Sequence, residues 1–136
     1  MPALNALSAK VYNDTATYAD IVHFVHIYII EPHPQSPDIS PYSGRVSESA
    51  YSNGRYQPLT YKERVADARE MQAMVQGDHL LLVDDLTPGV KNNPLWCTYG
   101  PAPNSAYLIR QDGILEAVQT WVNVPALEEA IKALVD

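Results

Sequence analysis

Hydrophobic spacing along the chain alternates between helical and strand-like periods. Leu4, Leu7 and Val11 recur at helical intervals, so the chain opens in or near a helix. Residues 21–30, "IVHFVHIYII", then read as a strand. Ile21, Val25, Ile27 and Ile29 form one alternating set, and Val22, Phe24, Tyr28 and Ile30 form the other. Both sets are apolar, which is the pattern of a strand covered on two faces in an α/β sheet. The periodicity stops at residues 31–59, which hold five prolines and six serines. A loop of that length is commonly functional or disordered.

At Thr60 the pattern becomes helical again. "TYKE" is a capping box, in which Thr60 accepts from the Glu63 amide while Glu63 reaches back. Tyr61, Val65, Ala68, Met71 and Val75 make one apolar stripe, and Gly77 is placed to end the helix. "HLLLVDD" at 79–85 predicts a second buried strand, "TPGVKNNP" a turn, and "LWCTYG" a short helical turn. Residues 105–120 predict a hairpin around a tight primed turn at Asp112-Gly113. Pro125 fits the first turn of a last helix whose buried face carries Leu127, Ala130, Ile131 and Leu134.

The order is helix, strand, long loop, helix, strand, short turn, hairpin, helix. A helical crossover between the first two strands makes them parallel and the connection right-handed. The hairpin makes the sheet mixed. The fold class is therefore α/β, a thioredoxin-like mixed sheet flanked by helices, over a single domain spanning residues 1–136.

Composition narrows the function. A net charge of −7 with no run of lysine or arginine leaves no basic footprint for nucleic acid or an anionic membrane. The apolar run at 21–30 is about half of what spans a bilayer. The opening "MPALNALSAK" lacks an export signal, and a lone cysteine suits a reducing compartment, so the expected location is cytoplasmic.

Four blocks carry a family resemblance: "YADIVHFVHIYIIEPHP", "LTYKERVADAREMQ", "LLLVDDL" and "YGPAPNSAYLIRQDGIL". From residue 18 to the C-terminus the sequence resembles the iodothyronine deiodinase-like branch of the thioredoxin superfamily. The most specific part is the glutamate–x–His–Pro block after the strand. The resemblance implies a redox Cys or selenocysteine on a loop after the first core strand, in a segment lying ahead of "MPALNAL". The expectation is a sheet that lacks this first strand and its redox loop. The strands at 21–30 and 79–84 would be left two spacings apart, to pair with each other, recruit another segment or take a strand from a second copy.

The resemblance makes His33 a substrate-site residue, with Glu31 and Asn104 beside it. Family members carry a glutamate–arginine pair before the penultimate strand, where this chain has Asn104-Ser105-Ala106-Tyr107. Thyroid-hormone deiodination is therefore not carried over. Ala102–Pro103 lies near the superfamily's cis-proline position. His33, between Pro32 and Pro34 at a strand end, suits acid–base work or substrate binding. The plainer alternative is a loop anchor, with Glu31 accepting backbone hydrogen bonds.

Cys97 is the one thiol available for catalysis, but free cysteines are among the most buried residue types. Lys91 is its only nearby cation in sequence. Glu31, His33, Asp38, Asp84 and Asp85 match no metal-ligand spacing, and no cofactor motif is present. Asp84 is expected to cap the following turn or to hold His33. His23 and His26 are expected on opposite strand faces.

Two functions remain. One is a thiol or redox oxidoreductase acting on a small-molecule or thiol substrate. The other is a redox-inactive binding or assembly domain, with Tyr42, Tyr51 and Tyr56 as loop contacts and a homo-oligomer completing the sheet.

Overall fold

The computed structural model describes residues 2–48, 52, 54–75, 77, 79–86, 93–99 and 104–135. The architecture is mixed α/β. Its helices are α1 (Pro2–Ala9), α2 (Tyr18–Ile21), α3 (Tyr61–Gln72), α4 (Pro94–Tyr99) and α5 (Val124–Val135). Its strands are β1 (Val11–Asn13), β2 (Ala16–Thr17), β3 (Val25–Tyr28), β4 (Leu80–Val83), β5 (Ala106–Ile109) and β6 (Leu115–Gln119). Among the described residues these pair into three two-stranded sheets, β1–β2, β3–β4 and β5–β6, rather than the one mixed sheet expected. The chain divides into two compact units, Met1–Val22 with Ala102–Asp136, and His23–Pro101.

In the first unit α1 packs on α5, and Leu7, Tyr18, Leu108, Leu127 and Ile131 are buried. Val11 does not continue the opening helix; it starts β1 and is 64% exposed. The reason is the turn that follows, where Asn13 Oδ1 accepts from the amides of Thr15 (3.1 Å) and Ala16 (2.9 Å) and folds the chain back. Ile21 likewise ends a helix instead of beginning a strand. The Thr17 amide and hydroxyl both donate to Asp20 Oδ2, at 2.7 and 2.8 Å, and this starts α2 at Tyr18.

The β5–β6 hairpin forms as expected, with a different turn. The Gly113 amide donates to Arg110 O and the Arg110 amide to Ile114 O, both at 2.9 Å. Gly113 has φ +84°, and Asp112 does not share the left-handed region. Both primed two-residue turns need φ > 0 at the first central residue, which Asp112 lacks, so the loop is instead a three-residue connection of the type I turn plus glycine bulge kind.

In the second unit β3 and β4 run parallel, in register from Val25↔Leu80 to Tyr28↔Val83, as a helical crossover requires. The two strands pair directly, so no gap lies between them. The strand is four residues long, not ten, and its faces differ. His26 is buried, whereas Val25 (47%) and Ile27 (39%) are exposed beside Leu80 (56%) and Leu82 (43%). The expected two-faced burial is thus absent from β3 and β4.

α3 packs against β4 and starts at the expected capping box. The Glu63 amide donates to Thr60 Oγ1 at 3.2 Å, and Glu63 Oε2 accepts from the Thr60 amide at 2.9 Å. Its buried residues are Arg64 and Ala68, while Tyr61 of the expected stripe is 48% exposed. The helix ends at Gln72, ahead of Gly77.

Glu128 on α5 ties the first unit together. Lys10 Nζ donates to both its oxygens at 2.7 and 2.8 Å, Tyr18 Oη donates to Oε1 at 3.0 Å, and Lys132 Nζ lies 3.3 Å away. The Lys10 hydrogen bonds, helped by Tyr18 and Lys132, pull the Glu128 carboxyl down to about 2. A carboxyl lowered in the folded state contributes stability that is complete above its ordinary 4.5 and is lost as pH falls toward 2. Glu128→Gln should therefore flatten the loss of urea resistance below pH 4.5 relative to wild type; parallel acid limbs would contradict this.

Candidate functional site

The segment after β3 is built by local hydrogen bonds rather than left as an unstructured loop. Gln57 joins its two ends: its side-chain amide donates to Glu31 O, and its Oε1 accepts from the Glu31 amide at 3.2 Å. The Gln57 amide in turn donates to Asp38 Oδ2 at 2.8 Å. Ser40, fully buried, donates from Oγ to Pro32 O and accepts from the Ser43 amide. An antiparallel bridge between Ile39 and Val46 closes a small hairpin over it, with Gly44 at φ +70° in its turn.

Glu31 and His33 sit at the start of this segment. Glu31 is buried, and its Oε1 accepts from the His33 amide at 3.1 Å, which is the loop-anchoring role. The His33 ring is half-buried and meets Tyr42 edge-on, with centroids 6.1 Å apart and planes at 76°. Tyr42 and Tyr56 are exposed, at 45% and 56%; Tyr51 lies outside the described residues.

Across α3, Arg55 forks to Asp67 (2.8 Å) and Glu70 (2.5 Å), beside a cleft of about 440 Å³ lined by Gly54–Leu59, Glu63 and Asp67. Tyr28 Oη is buried with no hydrogen-bond partner among the described residues. Burial, with the Glu31 and Asp67 charges, pushes this phenol up to about 12.

The other organised cluster surrounds Asp84, at the C-terminal end of β4. Asp84 is fully buried, and its carboxylate accepts from the amides of Asp85 (2.9 Å), Leu95 (3.0 Å) and Trp96 (3.1 Å). Leu95 and Trp96 belong to the first turn of α4, so Asp84 caps that helix; the turn expected directly after it lies largely outside the described residues. Arg64 comes from α3, 1% exposed, and donates to Asp84 O and Asp85 O at 3.2 Å each and to Asn93 Oδ1 at 2.5 Å. Asn93 is the turn residue before α4, in the left-handed region at φ +64°.

Cys97 lies on α4 and is exposed, against the buried setting that its residue type favours. Its amide already donates within the helix, to Asn93 O at 2.9 Å, and the positive end of α4 is taken by Asp84. Lys91 and the Ala102–Pro103 bond lie outside the described residues; Ser36–Pro37 is a cis bond. Asn104 belongs to the first unit, is exposed, and its carbonyl accepts from the Val122 amide at 2.7 Å.

Glu31, His33, Asp38 and Gln57 are thus brought together, and Asp84 serves α4. Gln57 was not singled out from sequence. Arg64 entered only as the first residue of the R-V-x-x-A-R pattern that supports the family resemblance, with no structural role attached. The pairing of His26 with His79, at 2.7 Å, was also missed, because only His23 was weighed against His26.

Among the described residues no group of three or more His, Cys, Asp or Glu is placed to hold a metal. Among the same residues no helix is long and apolar enough to cross a membrane. No family model, curated protein or solved structure matches the chain.

An exposed Cys97 should be alkylated completely in native buffer, with no label on a Cys97→Ser control. A requirement for denaturant would place the thiol inside.

Proposed function

We propose that the chain is a thioredoxin-like domain of the deiodinase-like type that works by binding and assembly, and that it assembles with a second copy of itself. The observation that carries this reading is the outer face of β3–β4. Val25, Ile27, Leu80 and Leu82 stand together there in register, each between 39% and 56% exposed. Parallel strands are ordinarily covered on both faces, and an apolar cluster of this kind on a short sheet favours a partner.

The outer edges of β3 and β4 carry no ladder partner among the described residues, which adds unpaired backbone groups to the same surface. Stable interfaces bury roughly 800 Å² per partner, so the contact extends from the four side chains onto those edges. An identical copy supplies both matching needs: an apolar face and an open edge.

A second reading rests on the exposure of Cys97. The Cys97 thiolate would attack a small-molecule disulfide, forming a mixed disulfide and releasing one thiol. His33, with Glu31, would be the substrate-binding group that the family resemblance suggests. Asp84 at the end of α4 favours the first reading, since that helix end then offers no open positive site for a thiolate.

Light scattering coupled to gel filtration tests the assembly. The wild-type mass should be that of a dimer, and a combined Ile27→Asp, Leu82→Asp variant should run as a monomer with unchanged far-ultraviolet circular dichroism. A wild-type monomer at every concentration tested would overturn the proposal.

A further inference from the structure

β3 has the outer edge least protected against pairing with another chain. In the parallel ladder the Leu80 amide donates to Phe24 O at 3.0 Å and the Asp84 amide to Tyr28 O at 2.8 Å. Val25 and Leu80, like Ile27 and Leu82, are register partners, so the backbone groups of Phe24, His26 and Tyr28 face β4. Those of Val25 and Ile27 face the opposite edge, and the side chains of the same two residues are exposed.

Charge separates the two edges of this sheet. In sequence, β4 begins two residues after Asp78 and runs directly into Asp84 and the exposed Asp85, and acids at a strand's ends oppose edge-to-edge pairing. Residues 21–30, which contain β3, hold no Asp, Glu, Lys or Arg and no Pro or Gly. The nearest acids, Asp20 and Glu31, are engaged with the α2 cap and with the His33 amide. An uncharged run rich in β-branched and aromatic residues is the signature of a strand that recruits another. The chain carries a net charge of −7, so two copies repel where their acids meet, whereas β3 lets identical surfaces meet without like charges.

Resting on the self-assembly proposed above, we propose that β3 is the joining edge, paired antiparallel with β3 of a second copy, so that the two short parallel sheets become one of four strands. Identical edges related by a two-fold axis must run antiparallel. Centred on His26, this pairing sets Val25 opposite Ile27 of the partner subunit and Ile27 opposite Val25 of the partner subunit. Each pair exchanges the outward amide and carbonyl hydrogen bonds, and the aliphatic side chains cover one another across the seam. Leu80 and Leu82 lie one strand further from the axis and stay outside the seam.

Disulfide trapping tests the edge on the full chain, in a Cys97→Ser background. Hydrogen-bonded antiparallel partners lie about 5.5 Å apart between Cα atoms, within disulfide reach. A Val25→Cys, Ile27→Cys variant should therefore shift to a covalent dimer on a non-reducing gel after mild oxidation. A Leu80→Cys, Leu82→Cys variant should stay at the monomer position. In wild type, the Val25 and Ile27 amides should gain hydrogen-exchange protection as concentration rises, while those of Leu81 and Val83 on the β4 edge should not. A dimer by light scattering without the 25–27 cross-link, or with protection gained on the β4 edge instead, would overturn the β3 edge and leave self-assembly standing. Equal cross-linking from positions 80 and 82 would put the contact on the sheet face and overturn the edge as well. A monomer at every concentration would overturn both.

Discussion

Arg64 is the strut on which the His23–Pro101 unit depends. Its guanidinium leaves α3, reaches the carbonyls that follow β4, and holds the turn residue that starts α4. Asp84 completes the arrangement from the other side. Its amide donates to Tyr28 O on β3 at 2.8 Å, and its carboxylate closes the first turn of α4. Four elements therefore meet at two buried charged residues. A buried cation and anion are costly to desolvate, and the cost is offset only when most of their polar atoms are engaged. Here the carboxylate accepts three amides, while the guanidinium Nε has no hydrogen-bond partner among the described residues. The arrangement fixes one geometry more than it adds raw stability.

This polar interior explains the character of the unit around it. Among the described residues its buried set includes His26, Glu31, Ser40, Arg64 and Asp84, with Ala68 and Leu86 as buried aliphatic residues. Val25, Ile27, Leu80 and Leu82 of β3 and β4 are exposed instead. A unit organised in this way has apolar surface left over, and the proposed assembly follows from that surplus. Met1–Val22 with Ala102–Asp136 is the reverse case, with Leu7, Tyr18, Leu108, Leu127 and Ile131 inside and Glu128 bridging at its margin.

Signals that act over a few residues were legible in the sequence. The Thr60–Glu63 box, the hairpin with its glycine, the final helix behind Pro125 and the parallel pairing of two strands joined by a helix all follow from local chemistry or chain topology. Where tertiary or side-chain hydrogen bonds compete, the pattern misleads. The apolar run at 21–30 reads as one long strand, but the Thr17–Asp20 contacts wind its beginning into α2. Arg64 looks like a solvent residue beside Val65, yet it is the residue α3 buries most deeply. Gln57 and Ser40 carry no motif, because their roles consist of reaching backbone groups distant in sequence. Of the candidate site, the neighbourhood of Glu31 and His33 was readable, while the setting of Cys97 was not, since residue type alone argues for burial.

The most direct measurement is a double-mutant cycle on the strut, with Arg64→Met, Asp84→Asn and both together followed by urea unfolding. Arg64→Met removes the donor to the Asp84 and Asp85 carbonyls, and Asp84→Asn removes the nearby negative charge that favours the buried guanidinium, so each should be destabilising and the double change should cost less than their sum. A coupling of about 1–3 kcal/mol is the result the account predicts. Costs that add to within about 0.5 kcal/mol would mean that the two residues act independently, and would contradict it.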